Sequence, residues 1–147
     1  MLGSLISGQG GRLFVNLRDR ESLAYTVSSL CSFGVHPSLF GAYMACAPEK
    51  AERAEEALRS ELFNILVDPP SEEEIRRAKN GIAGSHASEM QRSSNQAMNM
   101  ALMDLYGVGY DELVRYTGII DSITREDLIR VAKRVLNDSG LVCVRVG

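Results

Sequence analysis

The sequence contains no tryptophan, and its aromatics are four phenylalanines and five tyrosines among 147 residues. That scarcity argues against the stacking platforms that grip single-stranded nucleic acid. Basic residues form no run either. Sixteen Lys and Arg against nineteen Asp and Glu leave a net charge of -3, so there is no basic stripe for a phosphate backbone. The cysteines are three, Cys31, Cys46 and Cys143, an odd count without paired spacing. A disulfide framework and a zinc knuckle are thereby excluded, and the apolar runs around all three predict small buried hydrophobes. No apolar run reaches the roughly 20 residues of a membrane span. Residues 1–6 lack the basic start of a signal peptide; they read as a helix entered from upstream, with Met1 as a start added to a fragment.

Histidine is nearly absent too. His36, beside Pro37, reads as an exposed turn residue. His86 opens the run His86-Ala87-Ser88-Glu89-Met90, which nearly matches H-x-x-E-H. That motif holds zinc through two imidazoles one helical turn apart. Met90 stands in place of the second imidazole, and a thioether is a poor zinc ligand, so the match reads as chance. No Ser-His-Asp arrangement can be assembled, and no metal site is expected in this chain. The acidic run Glu72-Glu73-Glu74 suits the positive end of a helix dipole rather than an acid–base pair. Taken alone, the chain carries no catalytic machinery.

What is present is an ordinary globular balance, 45% hydrophobic and 24% charged, in a length that fits one domain. Residues 2–7 predict a short apolar helix, broken by the loop Gly8-Gln9-Gly10-Gly11. This loop lacks the Gly-Lys-Ser/Thr ending of a phosphate loop and reads as a hinge or a close-packing turn. A helix over 12–19 follows, with Leu13, Leu17 and Phe14 inward. The period then changes: Leu23, Tyr25, Val27, Ser29 and Cys31 alternate as one face of a strand over 22–33. A turn at 34–37 and a second strand over 39–46 complete an antiparallel hairpin.

The remainder is mostly helical. Pro48 suits a first turn, and Ala54, Leu58, Leu62 and Ile65 recur at helical steps. Ser71 with Glu74, and Thr124 with Asp127, sit at capping-box spacing. Gly81 and Gly84 weaken the helix after Ser71, with a kink expected between 84 and 92. The stripe Ala97, Met98, Ala101, Leu102, Leu105 reads as core filler. Leu113, Val114 and Ile120 mark a fourth helix, and Leu128, Val131, Ala132, Val135 and Leu136 a fifth. Residues 141–146 predict a final strand. Strands grouped apart from banked helices give an α+β class, an antiparallel sheet with helices packed on one face. Three strands leave exposed edges, which invite a missing strand or self-association.

Two residues remain that could do chemistry at a surface. Arg18 lies near the end of the first amphipathic helix and Tyr25 lies seven positions on, in the strand. A fork of N–H donors and an O–H donor brought together could grip a peptide carbonyl or a developing oxyanion. The alternative is that Arg18 caps helix carbonyls while Tyr25 is half-buried sheet packing.

An ordered set of short matches resembles a known family. These are Leu2-Gly3, Gly10-Gly11-Arg12-Leu13-Phe14, Leu17-Arg18-Asp19 and Leu23-Ala24-Tyr25-Thr26-Val27-Ser28. Leu39-Phe40-Gly41, Ala47-Pro48-Glu49-Lys50, Ser71 to Ile75 with Ala78-Lys79, and Thr124 to Leu128 follow in order. Together they resemble the C-terminal, non-zinc-binding domain of pitrilysin/insulinase-type zinc peptidases, a family that includes mitochondrial processing peptidase. The resemblance implies one half, 1–147, of a two-domain chamber, its usual first strand truncated. Zinc would be held by an N-terminal domain or subunit carrying H-x-x-E-H, and the substrate would be a peptide. Arg18 and Tyr25 match the Arg and Tyr that the C-terminal domain contributes to the substrate backbone. The glycine loop falls near the substrate-binding loop of some processing-peptidase subunits, but is short here. The implied function is the substrate-gripping half of a zinc endopeptidase, inactive alone. The alternative is a non-catalytic scaffold or assembly subunit of the same family.

Overall fold

Leu2, Leu5 and Ile6 fall at three- and four-residue steps, and the helix α1 (Leu2–Ile6) buries all three. The computed structural model describes residues 1–8, 10–32 and 39–147; the expected turn at 34–37, with His36, lies outside the described residues. Five residues are too few for a helix to persist alone, so α1 exists by packing. Leu2 and Ile6 join a cluster with Leu13, Leu17, Ala24, Val27, Leu62, Ile65 and Ala132, while Leu5 joins Ile75, Ala78 and Leu128. α1 therefore ties two parts of the core together. Each such large aliphatic side chain contributes about 1.5–3 kcal/mol by leaving water.

Strands β1 (Thr26–Ser32) and β2 (Leu39–Ala45) pair antiparallel, with Val27 opposite Met44 and Cys31 opposite Phe40. Phe40, Ala42 and Met44 pack on the core while Leu39 and Tyr43 are exposed, as strand alternation requires. The class is α+β. The other edge of β1 is partly used by α1, because Ser7 Oγ accepts the Ser29 N–H at 3.0 Å.

The expected third strand does not form. Residues 141–146 make no backbone hydrogen bond among the described residues. Val142, Val144 and Val146 are 81%, 77% and 92% exposed. Alternating valines favour a strand only where a neighbouring edge receives their amides. Here the segment is held by Arg145, ion-paired to Glu55 at 2.6 Å. The cysteines also depart from expectation: Cys31 and Cys143 are exposed and Cys46 is half-buried. β1 is exposed from Leu30 to its end, and among the described residues no sheet covers the C-terminal segment.

A 3-10 turn (Pro48–Lys50) starts α2 (Ala51–Asn64). Then come α3 (Glu72–Glu89), α4 (Ser93–Leu105), α5 (Glu112–Ser122) and α6 (Arg125–Val135). Both predicted capping boxes are present, Ser71 with Glu74 and Thr124 with Asp127. α3 passes through Gly81 and Gly84 to Glu89, so a helix end at Met90 replaces the expected kink. α4 has no buried residue, and Met98 and Leu105 are 62% and 74% exposed. Its apolar stripe is therefore not core filler, because α4 packs against α5 and not over the clusters. No helix among the described residues is long and apolar enough to cross a membrane.

Arg12 fastens the first segment to the start of α3. Its Nε and Nη2 donate to the two Glu74 carboxylate oxygens at 2.7 and 3.0 Å, and Nη1 donates to the Asp68 carbonyl at 2.7 Å. The Arg12 hydrogen bond, with those from Ser71, outweighs burial and holds the Glu74 carboxyl down at about 2. A folded-state value below the unfolded one stabilises above the ordinary carboxylate range, and this is lost as pH falls toward the folded value. Arg12→Ala should cost about 2 kcal/mol at neutral pH, since it strands a carboxylate and a carbonyl. The deficit should shrink as pH falls from 4.5 toward 2. Thermal unfolding of both proteins across that range checks this; parallel curves throughout would contradict it.

Candidate functional site

Arg18 sits on unusual backbone. Where the sequence predicts an ordinary helix, Phe14–Arg20 forms a seven-residue π-helix, in which the Glu21 N–H donates to the Asn16 carbonyl at 3.0 Å, five residues back. Such segments are rare and concentrate at functional sites. Leu13 and Leu17 are fully buried, so the inward face is as the sequence predicts. Ser22 then takes a left-handed conformation, φ 51, which costs a non-glycine residue about 1–2 kcal/mol. The chain reverses there. The Leu17 carbonyl accepts from the Leu23 and Ala24 amides at 2.9 and 3.3 Å. Arg18 follows the acceptor and Tyr25 follows the second donor, so this closure draws their backbones together.

Tyr25 is aimed by a second irregularity. Its N–H donates to the Ala45 carbonyl at 2.8 Å, yet the register partner of Ala45 is Thr26. Tyr25 thus lies just before β1, tied to the end of β2 by its amide but outside the ladder. The predicted alternation fails for this reason. Leu23, Ala24 and Val27 are buried, whereas Tyr25 is 85% exposed. The reading of Tyr25 as half-buried sheet packing fails with it.

The electrostatic setting separates Arg18 from its neighbours. Arg20 donates to Asn16 Oδ1 at 3.1 Å, Arg53 pairs with Glu21 at 3.3 Å, and Lys50 Nζ donates to the Ser22 carbonyl at 3.0 Å. Arg18 and the Tyr25 hydroxyl have no hydrogen-bond partner among the described residues. The Arg18 guanidinium lies instead over a ring, with Cζ 4.7 Å from the Phe14 centroid. Arg18 therefore does not cap helix carbonyls. Sequence reasoning gave Phe14 no part in the site, although an aromatic and an arginine four apart on a helix are neighbours.

A cavity of about 550 Å3 opens elsewhere, between α1, the glycine loop and α3, and neither Arg18 nor Tyr25 lines it. Its wall includes Gly10, Gly11, Arg77, His86 and Tyr116. The His86 ring lies tilted against Tyr116 with centroids 4.5 Å apart. Among the described residues, no group of three or more His, Cys, Asp or Glu is placed to hold a metal ion. Gly11 is a close-packing position: a Cβ there would fall on the Ser7 backbone.

The family model of the peptidase M16 inactive domain matches residues 1–82. An uncharacterized zinc protease of Streptomyces coelicolor is 27% identical over 133 residues, covering 90% of this chain and 29% of that protein. One from Rickettsia bellii is 27% identical over 141 residues, covering 93% and 33%. The crystal structure of a peptidase M16 inactive domain from Pseudomonas fluorescens superposes with TM-score 0.79 at 23% identity, covering 92% of this chain and 33% of that one. A protease from Helicobacter pylori gives TM-score 0.81 at 20% identity, covering 94% and 33%. The fold is shared with both structures. The chain spans about a third of the length of the curated relatives it matches.

Proposed function

Because the chain belongs to the family of the peptidase M16 inactive domain, we propose that it is the substrate-holding half of a zinc-dependent endopeptidase, with Arg18 and Tyr25 on the peptide backbone. One observation carries this reading. Two side-chain donors with no hydrogen-bond partner among the described residues stand on a π-helix and on the residue just before β1, segments joined through the Leu17 carbonyl. Irregular backbone costs free energy and persists where it positions something.

In this reading the partner is the part of the protein that holds zinc, and the substrate is a peptide between the two. Carbonyl polarisation and water activation are the chemistry a zinc ion supplies in such a reaction; no residue of this chain is assigned to it. Arg18 donates from its guanidinium edge to a backbone carbonyl and fixes the peptide. Tyr25 donates its O–H to the oxygen that gains charge as the tetrahedral state forms. Closure of the two halves removes water from both donors and strengthens both bonds.

Cleavage kinetics of the full-length protein test the reading. Arg18→Ala and Tyr25→Phe should each lower kcat/KM. Arg20→Ala, on the same π-helix but bonded to Asn16, should leave it within about twofold. Equal losses at Arg18 and Arg20 would point to a general charge effect and defeat the assignment.

A further inference from the structure

We propose that Phe14 is a positioning residue for Arg18. Its ring lies against the guanidinium and leaves the N–H donors, none of which bonds to a described residue, free for a peptide carbonyl. This rests on the reading of Arg18 given above.

The chemistry follows from the shape of the group. A guanidinium is planar, with its five N–H bonds in that plane. A carboxylate or amide partner takes the edge, as Asn16 does for Arg20 and Glu21 for Arg53. Such an arginine is ordered but occupied. An aromatic ring attracts the cation through its face within about 6 Å of the centroid, and the Phe14–Arg18 separation of 4.7 Å is inside that range. The result is a long side chain restrained without loss of a donor, which lowers what binding must later order. Phe14 is well anchored for this task. It is half-buried, next to the fully buried Leu13 and one turn from Leu17, and it packs in the same π-helix that carries Arg18.

A ring that only filled space would be replaceable by leucine, so volume and electronics are separated in the test. In the full-length protein, Phe14→Leu should lower kcat/KM for peptide cleavage roughly two- to fivefold, the range expected for an exposed cation–π contact. Phe14→Trp should retain wild-type activity. Pentafluorophenylalanine at position 14 keeps the ring's shape but reverses its quadrupole, and should reproduce the leucine loss. In an Arg18→Ala background, Phe14→Leu should cause no further loss. A full loss in that background, or undiminished activity with the fluorinated ring, would overturn the inference by showing that the ring acts as packing. If Arg18→Ala alone leaves cleavage unchanged, the assignment of Arg18 fails instead. The upfield NMR displacement of the Arg18 side-chain protons over the ring then decides the contact. Its loss in Phe14→Leu supports the stack, and its persistence refutes it.

Discussion

Arg18→Ala in the full-length protein should lower peptide cleavage by about 10²–10³-fold while this domain keeps its fold. The magnitude is that of removing one preorganised donor from a developing oxyanion or its adjacent carbonyl. The preserved fold follows from what Arg18 touches. It is exposed and lies against the Phe14 ring, and among the described residues no backbone carbonyl depends on it. Tyr25→Phe removes a single oxygen from a side chain that is 85% exposed, so it should leave stability unchanged and lower turnover by a similar factor. The two act on one transition state, so the double variant should lose less than the product of the single losses. Steady-state kinetics beside thermal unfolding of each variant check this. Intact turnover at both positions would reduce the pair to surface residues.

Gly11→Ala should be the most damaging glycine-to-alanine change among the described residues, costing about 3 kcal/mol. The new Cβ would fall on the Ser7 carbonyl and amide, both backbone, closer than real Cβ atoms approach. Ser7 is not free to yield. Its Oγ accepts the Ser29 N–H at 3.0 Å and meets Ser28 Oγ at 3.0 Å, and it ends α1, whose Leu2, Leu5 and Ile6 join both core clusters. Gly8 has φ +82 with open space around it, so Gly8→Ala should cost only about 1 kcal/mol. Gly84 lies inside α3 with nothing near a Cβ, and Gly84→Ala should stabilise by about 0.5–1 kcal/mol. Urea unfolding of the three variants tests that order. A Gly11→Ala protein within 1 kcal/mol of wild type would show that the Ser7 turn relaxes.

The helical half of this fold is legible in the residues because its signals are local. Ser71 with Glu74, and Thr124 with Asp127, announce helix starts through bonds spanning three residues. The periods of α2 and α6 place Ala54, Leu62, Leu128 and Ala132 in the core. The periods of α5 and α6 overreach at their margins: Val114, Val131 and Val135 are exposed, since period alone does not give the width of a buried face. The apolar stripe of α4 and the valines of 141–146 mislead for one reason. Apolar pattern shows that a surface can be covered, and only tertiary placement shows whether this chain covers it.

At the site, residue types and spacing were legible and the backbone was not. Arg18 and Tyr25 stand out through the family resemblance, and their seven-residue separation spans the change from helical to strand period. Nothing local distinguishes the π-helix from an α-helix, because one widened turn leaves Leu13 and Leu17 inward in both. The amide bond that holds Tyr25 at the strand end depends on Ala45, twenty positions away and on the other strand. Ser22 in the left-handed region is equally a tertiary outcome. These three features leave Arg18 and Tyr25 exposed and without a hydrogen-bond partner among the described residues.

The most direct measurement is single-turnover cleavage of a peptide by the full-length protein, wild type beside the Arg18→Ala, Tyr25→Phe double variant, with bound zinc measured in both. The account predicts equal zinc content and a cleavage rate lower by at least about 10²-fold in the double variant. Equal zinc with equal cleavage rates would contradict it.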